Sequence, residues 1–193
     1  MQEETSPNTW ELVVHTLERY LAARSSLCSP PRPDAFSAAS FPAITLRNYL
    51  DRIHAYANCS PCCYVVAFIY LDRMLQISRF MITPMNIHRL ILCSVLLAIK
   101  YCDDMYANNT AYALIGGVSL EELNGLEREM LGMLRFRLFV STETYYGYLQ
   151  GLKQKFREGL ETGRRSETCV RRRNKRAKRH RDDAETAQCS DVF

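Results

Sequence analysis

The cysteines are the first residues whose type and spacing could do chemistry. Cys59-Ser60-Pro61-Cys62 has the two-residue gap of a redox dithiol, Cys63 follows at once, and His54 lies just upstream. A redox dithiol of this kind follows a strand in a βαβ unit, and no strand pattern precedes it. Zinc would want a second Cys or His pair at ligand spacing, and the sequence has none. These thiols therefore read as small buried groups at a helix start. Asp103-Asp104 could bind a metal, but it closes a helix and reads as a solvated helix end. His15, His54, His88 and His180 stand in no arrangement that marks a nucleophile. No catalytic residue, metal or cofactor is expected.

Two charged residues are more informative. Lys100 closes an apolar stripe that runs through Cys93, Leu96 and Leu97. Its ammonium group suits a helix C-terminus. Glu129 lies off the apolar face made by Leu120, Leu123, Leu126, Met130 and Leu134. Gly125 and Gly132 sit four before and three after it, on its own side of the helix. An interior Gly costs about 1 kcal/mol relative to Ala, so it needs a reason. Two reasons stand: a partner backbone approaches there, or a neighbouring helix of the same domain does.

The elements that must position these residues are helical. All eight Gly lie at or after Gly116, and all seven Pro lie at or before Pro84. The first 115 residues thus hold no phosphate-binding glycine loop and no Asn-Gly or Asp-Gly hairpin turn. That argues against a nucleotide-binding α/β fold and against an all-β fold. Apolar spacing predicts a helix over 6–23, capped by Ser6 with Pro7 in its first turn. A Ser/Pro-rich linker follows over 24–40. Further helices are expected at about 45–58, 60–79, 83–103, 109–114, 119–135 and 141–157. Ser60-Pro61 and Thr83-Pro84 repeat the hydroxyl-then-Pro start. Ser119 with Glu122 forms a capping box, and Gly116-Gly117 is a helix stop. The helices at 60–79 and 83–103 are apolar nearly all round, so they belong inside other helices. The fold class is all-α: about five core helices over 41–158, an additional N-terminal helix and linker over 1–40, and a disordered tail over 159–193.

Charge is distributed unevenly. Residues 1–163 carry 15 Lys+Arg and 16 Asp+Glu; residues 164–181 carry 10 and 1; residues 182–193 carry 0 and 4. The net charge of +4 therefore belongs to one short tail segment. The opening Met-Gln-Glu-Glu lacks a basic n-region, which reads as no secretory leader. The apolar windows Cys62–Leu71 and Leu90–Ile99 are half of the roughly 20 residues a membrane helix needs. An intracellular chain with reduced thiols and no membrane contact is expected.

The motifs then fall into a known order. His88-Arg89-Leu90-Ile91-Leu92, Leu97-Ala98-Ile99-Lys100-Tyr101, Asp103-Asp104 and Tyr106-Ala107-Asn108-Asn109 resemble a cyclin box. Tyr112-Ala113, Gly116-Gly117, Glu122-Leu123-Asn124 and Leu126-Glu127 continue it. Upstream, Ile44-Thr45, Tyr49-Leu50-Asp51-Arg52-Ile53 and Tyr70-Leu71-Asp72-Arg73 fit as well. The resemblance covers about residues 36–150. It is narrower than the family: the chain is similar to the phosphate-pathway or PCL-type single-box cyclins, also called P- or U-type.

That resemblance implies a five-helix cyclin box without catalytic activity, acting as the regulatory subunit of a Ser/Thr cyclin-dependent kinase in cell-cycle or nutrient (phosphate) signalling. It implies that Lys100 and Glu129, with Gly125 and Gly132, face the kinase beside its mobile C-helix. It also implies an internal ion pair between Arg52 and Asp72. The hydrophobic substrate-docking patch of cell-cycle cyclins is missing from 44–58, and a second box is missing. The alternative is a cyclin-fold nucleic-acid-binding transcription adaptor. Such a core should itself be basic, and residues 1–163 sum to −1, so nucleic acid is not the expected partner. Arg164, Arg165, Arg171, Arg172, Arg173, Lys175, Arg176, Lys178 and Arg179 form basic clusters of nuclear-localisation type, implying an import receptor and a nuclear and cytoplasmic distribution. Ser29, in Ser29-Pro30-Pro31-Arg32, is a proline-directed phosphorylation site in the linker.

Overall fold

The computed structural model describes residues 8–24, 35–77 and 81–161. Ser29 and the basic tail lie outside them. The described residues form seven helices and no strand: α1 Thr9–Arg24, α2 Leu46–Tyr56, α3 Pro61–Ile77, α4 Ile87–Cys102, α5 Asn109–Gly116, α6 Leu120–Met133 and α7 at 142–161. The all-α expectation holds.

The chain divides into two compact units, Met1–Lys153 and Gln154–Phe193. The helix expected to stand in front belongs to the first unit with α2–α6. Trp10, Leu12, Val13, Val14 and Leu17 of α1 are buried, packed against α3 and α2. Burying each aliphatic side chain contributes roughly 1.5–3 kcal/mol, which makes α1 a wall of the core. The Trp10 ring stacks on His54 at 5.2 Å. The exposed Arg47–Glu18 pair, at 3.0 Å, adds little beside that burial.

At the centre lie α3 and α4, as their all-round apolar pattern requires. Every residue of α4 from Leu90 to Ile99 is buried. The one hydroxyl in that run, Ser94, donates to the Leu90 carbonyl at 2.7 Å, which satisfies it without leaving the helix.

Helix starts follow local chemistry, with three departures from the sequence expectation. Thr45 caps α2, its hydroxyl accepting from Asn48 N at 3.2 Å. Ser119 likewise accepts from Glu122 N at 3.0 Å. First, α1 is capped by Asn8, whose Oδ1 accepts from Glu11 N at 2.8 Å; Ser6 and Pro7 fall outside the described residues. Second, Thr83-Pro84 does not open α4. It forms a turn before it, with Thr83 N donating to Asn86 Oδ1 at 2.8 Å, and the Thr83 hydroxyl is buried without a hydrogen-bond partner. Asn86 is the residue that precedes α4. Third, the carboxylate that serves the start of α3 comes from another helix: Asp103 Oδ2 accepts from Ser60 N at 3.0 Å. Gly117 ends α5 with φ +68°, a left-handed conformation that glycine adopts without a Cβ penalty.

Candidate partner-docking site

Lys100 sits in the last turn of α4, where burial gives way to solvent. Its Nζ donates to Glu127 Oε1 at 2.6 Å. Asn109 Nδ2 donates to the other oxygen, Glu127 Oε2, at 2.8 Å, and to Asn124 Oδ1 at 2.7 Å. The network therefore joins the end of α4, the start of α5 and the middle of α6. Glu127 is the more buried member, with 13% of its side chain exposed against 28% for Lys100. Both oxygens of Glu127 are committed. An ammonium group has three N–H donors, so Lys100 keeps two that no described residue takes up. A half-buried cation with unspent donors suits backbone carbonyls at the end of a partner's helix.

A groove of about 660 Å³ is lined by Tyr101, the residue after Lys100, with Leu134, Phe136, Leu138 and Phe139, and by the polar groups of Arg73, Gln76 and Arg137. Phe136 is 74% exposed and Phe139 71%. Scattered exposed apolar residues are ordinary, but aromatics gathered around one groove mark an interaction surface. Its floor is held by α3. Arg73 Nη1 and Nη2 donate to the carbonyls of Arg137 and Phe139 at 2.7 and 2.9 Å, and the Tyr70 hydroxyl donates to that of Leu138 at 2.9 Å. Arg135 and Phe136 have φ of +50° and +56°, a left-handed backbone that costs a non-glycine residue about 1–2 kcal/mol. Such strain persists where the surroundings over-determine it. Here Phe136 N is fixed to the Leu131 carbonyl at 3.0 Å, and the residues after it are tied down by α3.

The structure redistributes the residues singled out from sequence. Lys100 is at the site. Glu129 is not brought to it: it is exposed and lies two residues past Glu127, about 200° further round α6. The acid that shares a site with Lys100 is Glu127. Gly125 and Gly132 resolve differently from one of their two readings. A Cβ built on either meets no atom within 4 Å, so no neighbouring helix of this domain requires them. The Arg52–Asp72 ion pair is not formed. Asp72 Oδ2 accepts instead from Gln76 Nε2 at 2.7 Å and from the Tyr148 hydroxyl. The Arg52 guanidinium lies over the Tyr49 ring at 5.0 Å. His54 joins Tyr64, with Nδ1 and the hydroxyl 2.9 Å apart, rather than the thiols. Ser29 and the nine basic tail residues lie outside the described residues.

Sequence reasoning missed Glu127, Asn109, Asn124 and the aromatic groove. The groove left a trace: Arg135-Phe136-Arg137-Leu138-Phe139 alternates charge with large apolar groups directly after a helix. The polar network left one local trace, the carboxylate of Glu127 at helical spacing with Leu123 and Met130 on the apolar face of α6; its other members come from elements whose packing no local pattern reports.

The family pattern described as Cyclin matches residues 15–138, from α1 through the segment that lines the groove. The chain is 44% identical over 135 residues to Cyclin-U3-1 of Arabidopsis thaliana, across 70% of this chain and 61% of that protein. It is 46% identical over 123 residues to Cyclin-U4-1 of the same plant, across 62% and 61%. To Cyclin-P4-1 of Oryza sativa subsp. japonica it is 45% identical over 115 residues, across 59% and 54%. The chain thus spans less than two thirds of the length of these curated relatives.

Proposed function

The chain belongs to the cyclin family, and on that premise we propose that it is the regulatory, non-catalytic subunit of a Ser/Thr cyclin-dependent kinase, serving cell-cycle or nutrient signalling. The observations that support this reading are the Lys100–Glu127 pair, with donors of Lys100 to spare, and the groove of exposed aromatics that Tyr101 helps to line. They offer what a mobile kinase helix needs: unspent donors for its terminal carbonyls and an apolar bed for its side chains. Activation is a population shift. The surface binds the active position of that helix better than the inactive one, and the kinase equilibrium moves by that difference in affinity.

The deciding experiment is calorimetric titration of the purified chain with cyclin-dependent kinases, with kinase activity read in parallel. Phe136→Ala serves as the interface variant. An aromatic anchor at the centre of an interface is worth 2 kcal/mol or more, roughly thirtyfold in affinity. Phe136 is exposed, so the variant should melt as the wild type does. Equal binding by Phe136→Ala would remove the groove from the proposal.

We further propose that the basic residues between Arg164 and Arg179 direct nuclear import, and that Ser29 is phosphorylated by a proline-directed kinase. Truncation at Gly163 should shift the protein toward the cytoplasm in imaging. Mass spectrometry of the complex incubated with ATP should find phosphate on Ser29; a bare Ser29 in an active complex rejects that site.

A further inference from the structure

Four thiols and a carboxylate meet where α3 begins and α4 ends. Cys62 and Cys63 occupy the first turn of α3, Cys59 lies just before it, and Cys102-Asp103 closes α4. We propose that this junction is a soft-metal site that takes one zinc ion between Cys62 Sγ, Cys63 Sγ and the Asp103 carboxylate.

The geometry is close to what zinc requires. These ligand atoms lie within 4.8 Å of one another, and Cys63 Sγ is 3.4 Å from Asp103 Oδ2. Tetrahedral zinc with Zn–S near 2.3 Å and Zn–O near 2.0–2.2 Å sets its ligand atoms roughly 3.5–4 Å apart. Cys59 and Cys102 stand at the same junction, just before α3 and at the end of α4, as sources of a fourth ligand. Cys59 and Cys62 keep the two-residue gap common in zinc sites. A third ligand that local spacing lacked is supplied from 40 residues further on, by Asp103 at the end of α4.

The chemistry of the donors fits as well. Zinc binds the thiolate, so the metal must displace the thiol protons. Burial pushes the Asp103 carboxyl up, but hydrogen bonds from Ser60 and Cys63 hold it below its ordinary value. A free thiol is mostly protonated at neutral pH, so binding zinc through two thiols and one carboxylate releases two protons and leaves a complex of net charge −1. Access exists: a cavity of about 250 Å³, lined by Cys62, Cys102, Tyr101, Val140 and Tyr145, opens onto the thiols. An ion here would pin the start of α3 to the end of α4, immediately after Lys100-Tyr101.

The test uses the reduced full-length chain and cobalt as the probe, because tetrahedral cobalt thiolates absorb in the visible and near ultraviolet. One equivalent should produce ligand-field and sulfur-to-cobalt bands, zinc should displace them, and calorimetry in buffers of different ionisation enthalpy should count two protons. Cys62→Ser, a half-exposed position, should abolish the bands with the fold intact by circular dichroism. Asp103→Asn should weaken cobalt binding at least tenfold, and Cys93→Ser should leave it unchanged. Absence of thiolate bands at stoichiometric cobalt would overturn the proposal. So would bands that survive Cys62→Ser unaltered, which would place the metal on other cysteines.

Discussion

Lys100 and Arg52 are both half-buried cations in the later part of a helix, yet only one of them has an acid. The reason lies in what arrives from elsewhere in the chain. At the end of α4, α5 and α6 deliver Asn109, Asn124 and Glu127, and the cation completes a network of charge-assisted bonds. At Arg52 the expected acid is spoken for. Tyr148 of α7 and Gln76 of α3 both donate to Asp72. Arg52 turns the other way, over the Tyr49 ring and toward Gly117 at the C-terminal end of α5, where a Cβ would stand 3.5 Å from its Nη2. A planar guanidinium is suited to stacking on an aromatic face, and a cation is stabilised at a helix C-terminus. Opposite charges on adjacent helices therefore predict an ion pair only when no third element competes for either partner.

The sharpest way to break this comparison is at Lys100. Lys100→Ala should weaken kinase binding by about 2–5 kcal/mol, roughly thirtyfold to several-thousandfold, the cost of truncating a desolvated charged hydrogen bond at an interface. Glu127→Ala should do the same and also lower the melting temperature, because it strands Asn109 and the ammonium group at about 1–3 kcal/mol. Glu129→Ala, on the side of α6 that carries Gly125 and Gly132, should weaken binding less than either. The measurement is affinity and melting temperature for the three variants together. Should Glu129→Ala lose binding while Lys100→Ala and Glu127→Ala keep it, the docking face lies on the other flank of α6.

The second site is sharpened by coupling energies. A double-mutant cycle of Lys100→Ala with Glu127→Ala should show about 0.5–3 kcal/mol of interaction in the free chain. Arg52→Ala with Asp72→Ala should be additive within about 0.5 kcal/mol. Tyr148→Phe should cost about 1.5–3 kcal/mol, as the loss of a hydrogen bond to a charged group. The Tyr148 phenol also gives a pH signature. Burial, then the bond to Asp72, push its pKa up to about 12, against about 10 in an unfolded chain. The folded state holds that proton more tightly, so its contribution is complete below about pH 10 and is lost as pH rises toward 12. Alkaline melts of wild type and Tyr148→Phe should converge over that window. Strong coupling between Arg52 and Asp72 in solution would contradict the geometry described here.

The two sites also mark how far the sequence alone reaches. Helix positions, the central place of α3 and α4, and the stop at Gly117 were all legible, because apolar periodicity and capping are local. Lys100 was legible as an oddity on its own stripe. Its partner was not singled out: Glu127 falls on the apolar face of α6, between Leu123 and Met130, but which cation answers that carboxylate is decided by the packing of α4 and α5. The groove needed the backbone of Arg135 and Phe136, whose left-handed φ no residue type there announces. Asp103 at the start of α3 was equally hidden, since a carboxylate 43 residues away in sequence supplies it.

The smallest expected effect concerns the two glycines of α6. Among the described residues, no atom outside α6's own backbone and the chain neighbours lies within 4 Å of a Cβ at Gly125 or Gly132, and both have helical backbone. Replacing either with Ala should therefore stabilise the free chain by about 0.5–1 kcal/mol, through the lower conformational entropy of the unfolded state and better helix propensity. A glycine that the fold does not need at either position is accounted for if a partner's backbone comes close. On that account Gly132→Ala raises the melting temperature yet weakens kinase binding, and Gly132→Leu abolishes binding by steric block. The opposite signs are the diagnostic, because a purely structural glycine would lose stability when replaced. Thermal melts and titration of the same samples decide it. If Gly132→Leu binds the kinase as wild type does, the outer face of α6 is open solvent and the interface is confined to the flank that carries Lys100 and Glu127.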